Sequence, residues 1–178
     1  MGTQKAIFLD LFGTLIHDHG AMESVDNIRF KENSIEAINI LQNNGYIFFI
    51  SVCRIDMPIP ERSYLEDVQS YVMEKLLISG IDDASIHFVS YVHPQRVELH
   101  PLTLDVINSL EIEHKLNLSA CVMVGDLMKD IKVGREAGVK TALLSSPDDT
   151  PLEVDDEWAE PDMIGDNLYE IANKLVNG

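Results

Sequence analysis

The chain has 178 residues, 46% hydrophobic and 24% charged, an ordinary globular balance that lets roughly 70% of the unfolded surface be buried without a disulfide or structural metal. Thirteen Lys and Arg against 30 Asp and Glu leave a formal net charge of −17, which opposes non-specific binding to nucleic acid or to an anionic membrane. An anionic substrate stays open, because a divalent cation can reverse the local field.

Lys5 to Leu11 reads as a first strand, apolar on both faces. Residues 16–33 read as polar and irregular. Ser34 to Gln42 has helical spacing at Ile35, Ile38 and Leu41, with Gly45 as its stop. Tyr46 to Val52 is a second continuous apolar strand. Pro58 and Pro60 break the chain, and a helix is expected from Glu61 to Ser79. Ser85 to Val92 is a third strand candidate, followed by a loop from His93 to Pro101 and a helix from Leu102 to Leu116. Ser119 to Val124 is another buried strand, Leu127 to Ala137 a helix stopped by Gly138, and Val139 to Leu144 a further strand. An acidic loop from Ser145 to Glu160, a short strand at Met163–Ile164 and a helix from Asn167 to Val176 complete the pattern. Continuous apolar strands alternating with helices predict an α/β fold: a doubly wound, mainly parallel sheet with helices on both faces. One domain over residues 1–178 is expected.

Cys53 and Cys121 sit in or beside apolar runs without CxxC spacing. They read as free buried thiols in a reducing compartment. No basic start leads into a long apolar stretch, and no apolar run approaches the roughly 18 residues of a membrane span. A cytoplasmic protein is the expectation.

The chemistry concentrates at strand ends. Asp10 closes the first strand and Gly13-Thr14 follows in a tight turn. Downstream, Val122 to Gly125 leads into Asp126, with Asp130 one helical turn on. In a doubly wound sheet, ligands bind at the carboxyl ends of the strands near the switch in strand order. If the two strands are neighbours, Asp10, Asp126 and Asp130 meet in one crevice. Three hard oxygen ligands there suit Mg²⁺. An aspartate after a strand also serves as a helix N-cap, but the three together with Gly13-Thr14 favour the site. Ser51 closes the second strand.

These motifs resemble those of the haloacid dehalogenase (HAD) superfamily of phosphohydrolases. Within it the chain looks like the histidinol-phosphate and heptose-bisphosphate phosphatase branch, which has almost no cap. The resemblance is carried by residues 6–10, 13–20, 25–30, 43–51 and 122–144. It implies an Asp10 nucleophile and an aspartyl-phosphate intermediate. It implies a Mg²⁺ site of Asp10, the Phe12 backbone carbonyl, Asp126 and Asp130, and phosphate contacts from Gly13 and Ser51. It also implies a small phosphorylated molecule as partner, met by the loops at 17–30, 53–62 and 91–101.

Three departures stand out. Phe12 occupies the position of the family's acid–base aspartate. The phosphate-binding lysine before the 102–116 helix is missing, with Arg96 or His100 as nearby cations. The branch's zinc-loop cysteines are gone, and His93 and His100 alone do not make a zinc site. His17 and His19 lie near the predicted mouth. One reading is then a Mg²⁺-dependent phosphohydrolase that is slow or restricted to good leaving groups. The other is a catalytically inactive binding or regulatory protein on the same fold. A metal-free dehalogenase, suggested by an aromatic residue two positions after Asp10, conflicts with the Asp126 and Asp130 motif.

Overall fold

A computed structural model describes residues 2–17, 25–52, 62–89, 102–145 and 160–178. Six strands alternate with five helices. The strands are β1 (Lys5–Asp10), β2 (Tyr46–Ser51), β3 (Ile86–Val89), β4 (Val122–Gly125), β5 (Lys140–Leu144) and β6 (Met163–Gly165). The helices are α1 (Ser34–Asn43), α2 (Arg62–Ile78), α3 (Leu104–His114), α4 (Met128–Glu136) and α5 (Leu168–Asn177). The sheet order is β3-β2-β1-β4-β5-β6, and each neighbouring pair is parallel. This is the doubly wound α/β arrangement expected from the apolar runs.

Both faces of the central strands are covered, as their unbroken hydrophobicity requires. On β1, Ile7 and Leu9 join a core with Ile38 and Leu41 of α1, Val68 and Val72 of α2, and Ile171 of α5. Ala6 and Phe8 alternate to the other face, where they pack with Phe49, Met123 and Ile107 of α3. Phe8 stacks on Phe49 with ring centroids 5.3 Å apart. Burial on two faces holds the strand ends rigidly, and the candidate site is built on those ends.

The element boundaries differ from expectation where backbone groups find other partners. The Leu11 N–H donates to the Ser51 carbonyl at 2.9 Å as the chain turns out of β1. Helix α3 starts at Leu104 because Thr103 caps it, its hydroxyl accepting from the Val106 N–H at 3.3 Å. It ends before Lys115, which takes a left-handed conformation with φ 53°. Leu118–Ala120 form a 3-10 turn instead of the start of β4. The described residues of the 16–33 stretch, 16–17 and 25–33, carry structure that its polarity does not suggest. Val25–Asn27 form a 3-10 turn, and Ile16 pairs antiparallel with Phe30.

Candidate active site

The order of strands reverses between β1 and β4. The chain builds β2 and β3 on one side of β1, then crosses to add β4, β5 and β6 on the other. A crevice opens at the carboxyl ends of such a pair, because the following connections leave in opposite directions. Asp10 is the last residue of β1 and Asp126 follows the last residue of β4. Asp130 lies in the first turn of α4, the helix that leaves β4.

These three residues can each offer a carboxylate oxygen such that all three atoms lie within 4.8 Å of one another. Two close approaches bring them together. A Cβ placed on Gly13 would lie 2.1 Å from Asp126 Oδ2, and Gly13 also has φ +80°, a conformation that side chains disfavour. A Cβ on Gly125 would lie 2.2 Å from Asp130 Oδ2. Glycine at both positions lets the carboxylates sit against backbone. Asp130 is 1% exposed. Its Oδ2 accepts from the Leu127 N–H at 3.2 Å, and its own N–H donates to the Leu127 carbonyl at 3.0 Å. This reciprocal pair fixes its orientation at the positive end of α4.

Crowded negative charge leaves a mark. Burial pushes the Asp126 carboxyl up from its ordinary 3.8 to about 6, helped by the neighbouring charges of Asp10 and Asp130. A backbone hydrogen bond and the Lys31 ammonium pull the other way. The donor set is all oxygen and carries surplus negative charge, so it suits a small hard divalent cation such as Mg²⁺.

The other sequence candidates fall in different places. Ser51 lies beside Asp10 in the β1–β2 register. Its hydroxyl is buried and has no hydrogen-bond partner among the described residues, and the same holds for Thr14. Gly13 is engaged on both sides, its N–H donating to the Ile16 carbonyl at 2.9 Å and its carbonyl accepting from Lys31. Phe12 sits between Asp10 and Gly13, 7% exposed, with its side chain in the apolar core that includes Leu15, Ile16 and Ile28. His17 is half-buried and its N–H donates to the Arg29 carbonyl at 2.9 Å. Arg96, His19, His93, His100 and Cys53 lie outside the described residues.

Sequence reasoning missed Lys31. Nothing in Phe30-Lys31-Glu32 marks it, since a lone lysine before a helix is usually solvated. The readable signal was the pairing of the 29–31 stretch with the loop that follows Asp10, and that pairing is tertiary.

The chain is similar to known proteins in sequence and in fold. A family model described as HAD-hydrolase-like matches residues 100–171. A D-glycero-β-D-manno-heptose-1,7-bisphosphate 7-phosphatase of Pasteurella multocida is 27% identical over 157 residues, covering 79% of this chain and 81% of its own. A D-glycero-D-manno-heptose-1,7-bisphosphate 7-phosphatase of Chlorobaculum tepidum is 24% identical, covering 100% of this chain and 97% of its own. Among solved structures, the D,D-heptose 1,7-bisphosphate phosphatase of B. bronchiseptica, complexed with magnesium and phosphate, superposes with a TM-score of 0.79 at 16% identity. That match covers 98% of this chain and 99% of that one.

Proposed function

We propose that this chain, a member of the HAD superfamily similar in sequence and fold to its heptose-bisphosphate phosphatases, is a Mg²⁺-dependent phosphohydrolase that works through Asp10. The observation that carries the reading is the convergence of Asp10, Asp126 and Asp130 where the strand order reverses. Asp10, Asp126, Asp130 and the Phe12 carbonyl would hold the ion. When bound, Mg²⁺ supplies positive charge against the phosphoryl oxygens, so that an anionic nucleophile and an anionic substrate can meet.

Each residue then has a defined task. An Asp10 oxygen forms a bond to phosphorus, and the bond to the leaving oxygen breaks with its electron pair. Water attacks the phosphorus of the aspartyl-phosphate, releasing phosphate and restoring the carboxylate. The buried Ser51 hydroxyl, next to Asp10 across the ladder, suits a phosphoryl oxygen, since a buried hydroxyl left unpaired costs roughly 1–3 kcal/mol. Gly13 contributes the open space beside Asp126.

Phe12 shapes the substrate range. A positioned general acid–base contributes roughly 10²–10⁴ in rate, and a phenyl ring packed in the core can neither donate nor accept a proton. An alkyl phosphate, such as the 7-phosphate named for the relatives, must expel an alkoxide and needs that proton. An acyl or aryl phosphate leaves as a stable anion and does not. The reading therefore favours a small molecule with a good leaving group, and slow hydrolysis of the aspartyl-phosphate. It treats residues 1–178 as one hydrolase domain acting in the cytoplasm.

A second reading rests on the same Phe12. If the core position of its ring reflects abandonment of catalysis, the chain is a binding or regulatory protein that keeps the fold and the ion site. Mg²⁺-dependent phosphate release from acetyl phosphate and para-nitrophenyl phosphate, beside an Asp10→Asn control, separates the two. The expected outcome is release that the control loses. Equal release from both proteins, or none from either, would transfer the assignment to the binding protein.

A further inference from the structure

The segment before α1 folds back over the loop that follows Asp10. The His17 N–H donates to the Arg29 carbonyl at 2.9 Å, Ile16 pairs antiparallel with Phe30, and the Lys31 N–H donates to the Leu15 carbonyl at 3.0 Å. The Lys31 carbonyl in turn accepts from the Ser34 N–H at 3.1 Å, where α1 begins. The Lys31 backbone is thus held on both sides. Its ammonium reaches across to the Gly13 carbonyl. Gly13 is the residue whose missing side chain admits Asp126, with only 2.1 Å between its virtual Cβ and Asp126 Oδ2. The ammonium field also acts on Asp126.

Charge balance gives this lysine a task. Three carboxylates and a phosphate dianion amount to five negative charges, and one divalent ion offsets two of them. A phosphoryl group entering such a site needs further positive charge close by. The lysine that resembling phosphatases place before the 102–116 helix is missing from this sequence. We propose that Lys31 is the substrate-binding cation of the site, held on the Gly13 carbonyl and turning a proton toward a phosphoryl oxygen when substrate is bound. An ammonium has three donors, so the Gly13 bond and a phosphoryl bond can coexist. The proposal rests on the phosphohydrolase reading for its substrate, but it makes a binding claim that does not require turnover.

The test compares Lys31→Met and Lys31→Arg with the unaltered chain. Calorimetry measures inorganic phosphate and orthovanadate binding in the presence of Mg²⁺, and a separate titration measures Mg²⁺ alone. Loss of a hydrogen bond to a charged group predicts roughly ten- to a hundredfold weaker phosphate binding in Lys31→Met. Lys31→Arg should recover most of it. Mg²⁺ alone should bind Lys31→Met at least as tightly as the unaltered chain, because a nearby positive charge is gone. That titration also shows that the variant is folded. Turnover of acetyl phosphate should fall chiefly through a higher KM. Phosphate binding equal in Lys31→Met and the unaltered chain would overturn the proposal, even if Asp10-dependent turnover is found. Lysine-dependent phosphate binding without turnover would uphold it while the catalytic reading fails. No phosphate binding by the unaltered chain would overturn both.

Discussion

Replacing Asp126 with Asn should stabilise the metal-free protein while abolishing Mg²⁺ binding. In the fold this carboxyl is raised from 3.8 to about 6, by burial first and then by Asp10 and Asp130. A raised acid binds its proton more tightly when folded than when unfolded. Ionising it therefore opposes folding, and this penalty appears as pH rises from about 4 to about 6 and is constant above. The whole difference is worth roughly 3 kcal/mol at neutral pH, and screening at a half-buried group reduces it to about 1–2 kcal/mol. Asn has nearly the same shape and no charge. Urea denaturation in EDTA at pH 7 should show Asp126→Asn more stable by that amount, with the difference vanishing near pH 4. With Mg²⁺ at about 100 times its Kd the order should reverse, because binding adds about 2.7 kcal/mol to the unaltered chain alone. A variant less stable than the unaltered chain in EDTA at pH 7 would refute the penalty that burial and the neighbouring carboxylates place on the ionised form.

Phe12→Asp removes a ring from the core and puts a carboxylate near it. A loss of roughly 3–5 kcal/mol in urea-derived stability is expected, and an unchanged urea midpoint would mean that the ring is not part of the core. Away from the site, Asp162 Oδ2 accepts from the Thr141 N–H at 2.8 Å and from the Thr141 hydroxyl at 3.0 Å, tying β5 to the start of β6. Asp162→Ala leaves those buried donors unpaired and should lower stability by roughly 2–3 kcal/mol. Mg²⁺ affinity, measured by titration, should not change in that variant, and a tenfold weakening would show that the β5–β6 edge supports the site.

Much of the fold was legible because a buried parallel strand must be apolar on both faces. Lys5 to Leu11 and Tyr46 to Val52 could be read as strands from their runs alone, and so could the end of the 119–124 run from Val122 on. The elements that escaped are those whose backbone partners lie far along the chain. The Ile16–Phe30 pairing escapes because it joins two short segments, each with too few residues to show a period.

The sequence by itself determined which residues could do chemistry: a carboxylate at each of two strand ends and a third one turn into a helix. Local rules suffice for that, since strand length, turn glycines and helical spacing place side chains to within a residue. Only the tertiary structure decided which of them meet. The order β3-β2-β1-β4-β5-β6 makes β1 and β4 neighbours, and no local pattern encodes that adjacency. It also put Phe12 in the core and carried the Lys31 ammonium to the Gly13 carbonyl, 18 residues away in sequence. Contacts of that kind depend on how whole elements pack, which is why the acidic residues could be named from the sequence while their meeting and the lysine beside them could not.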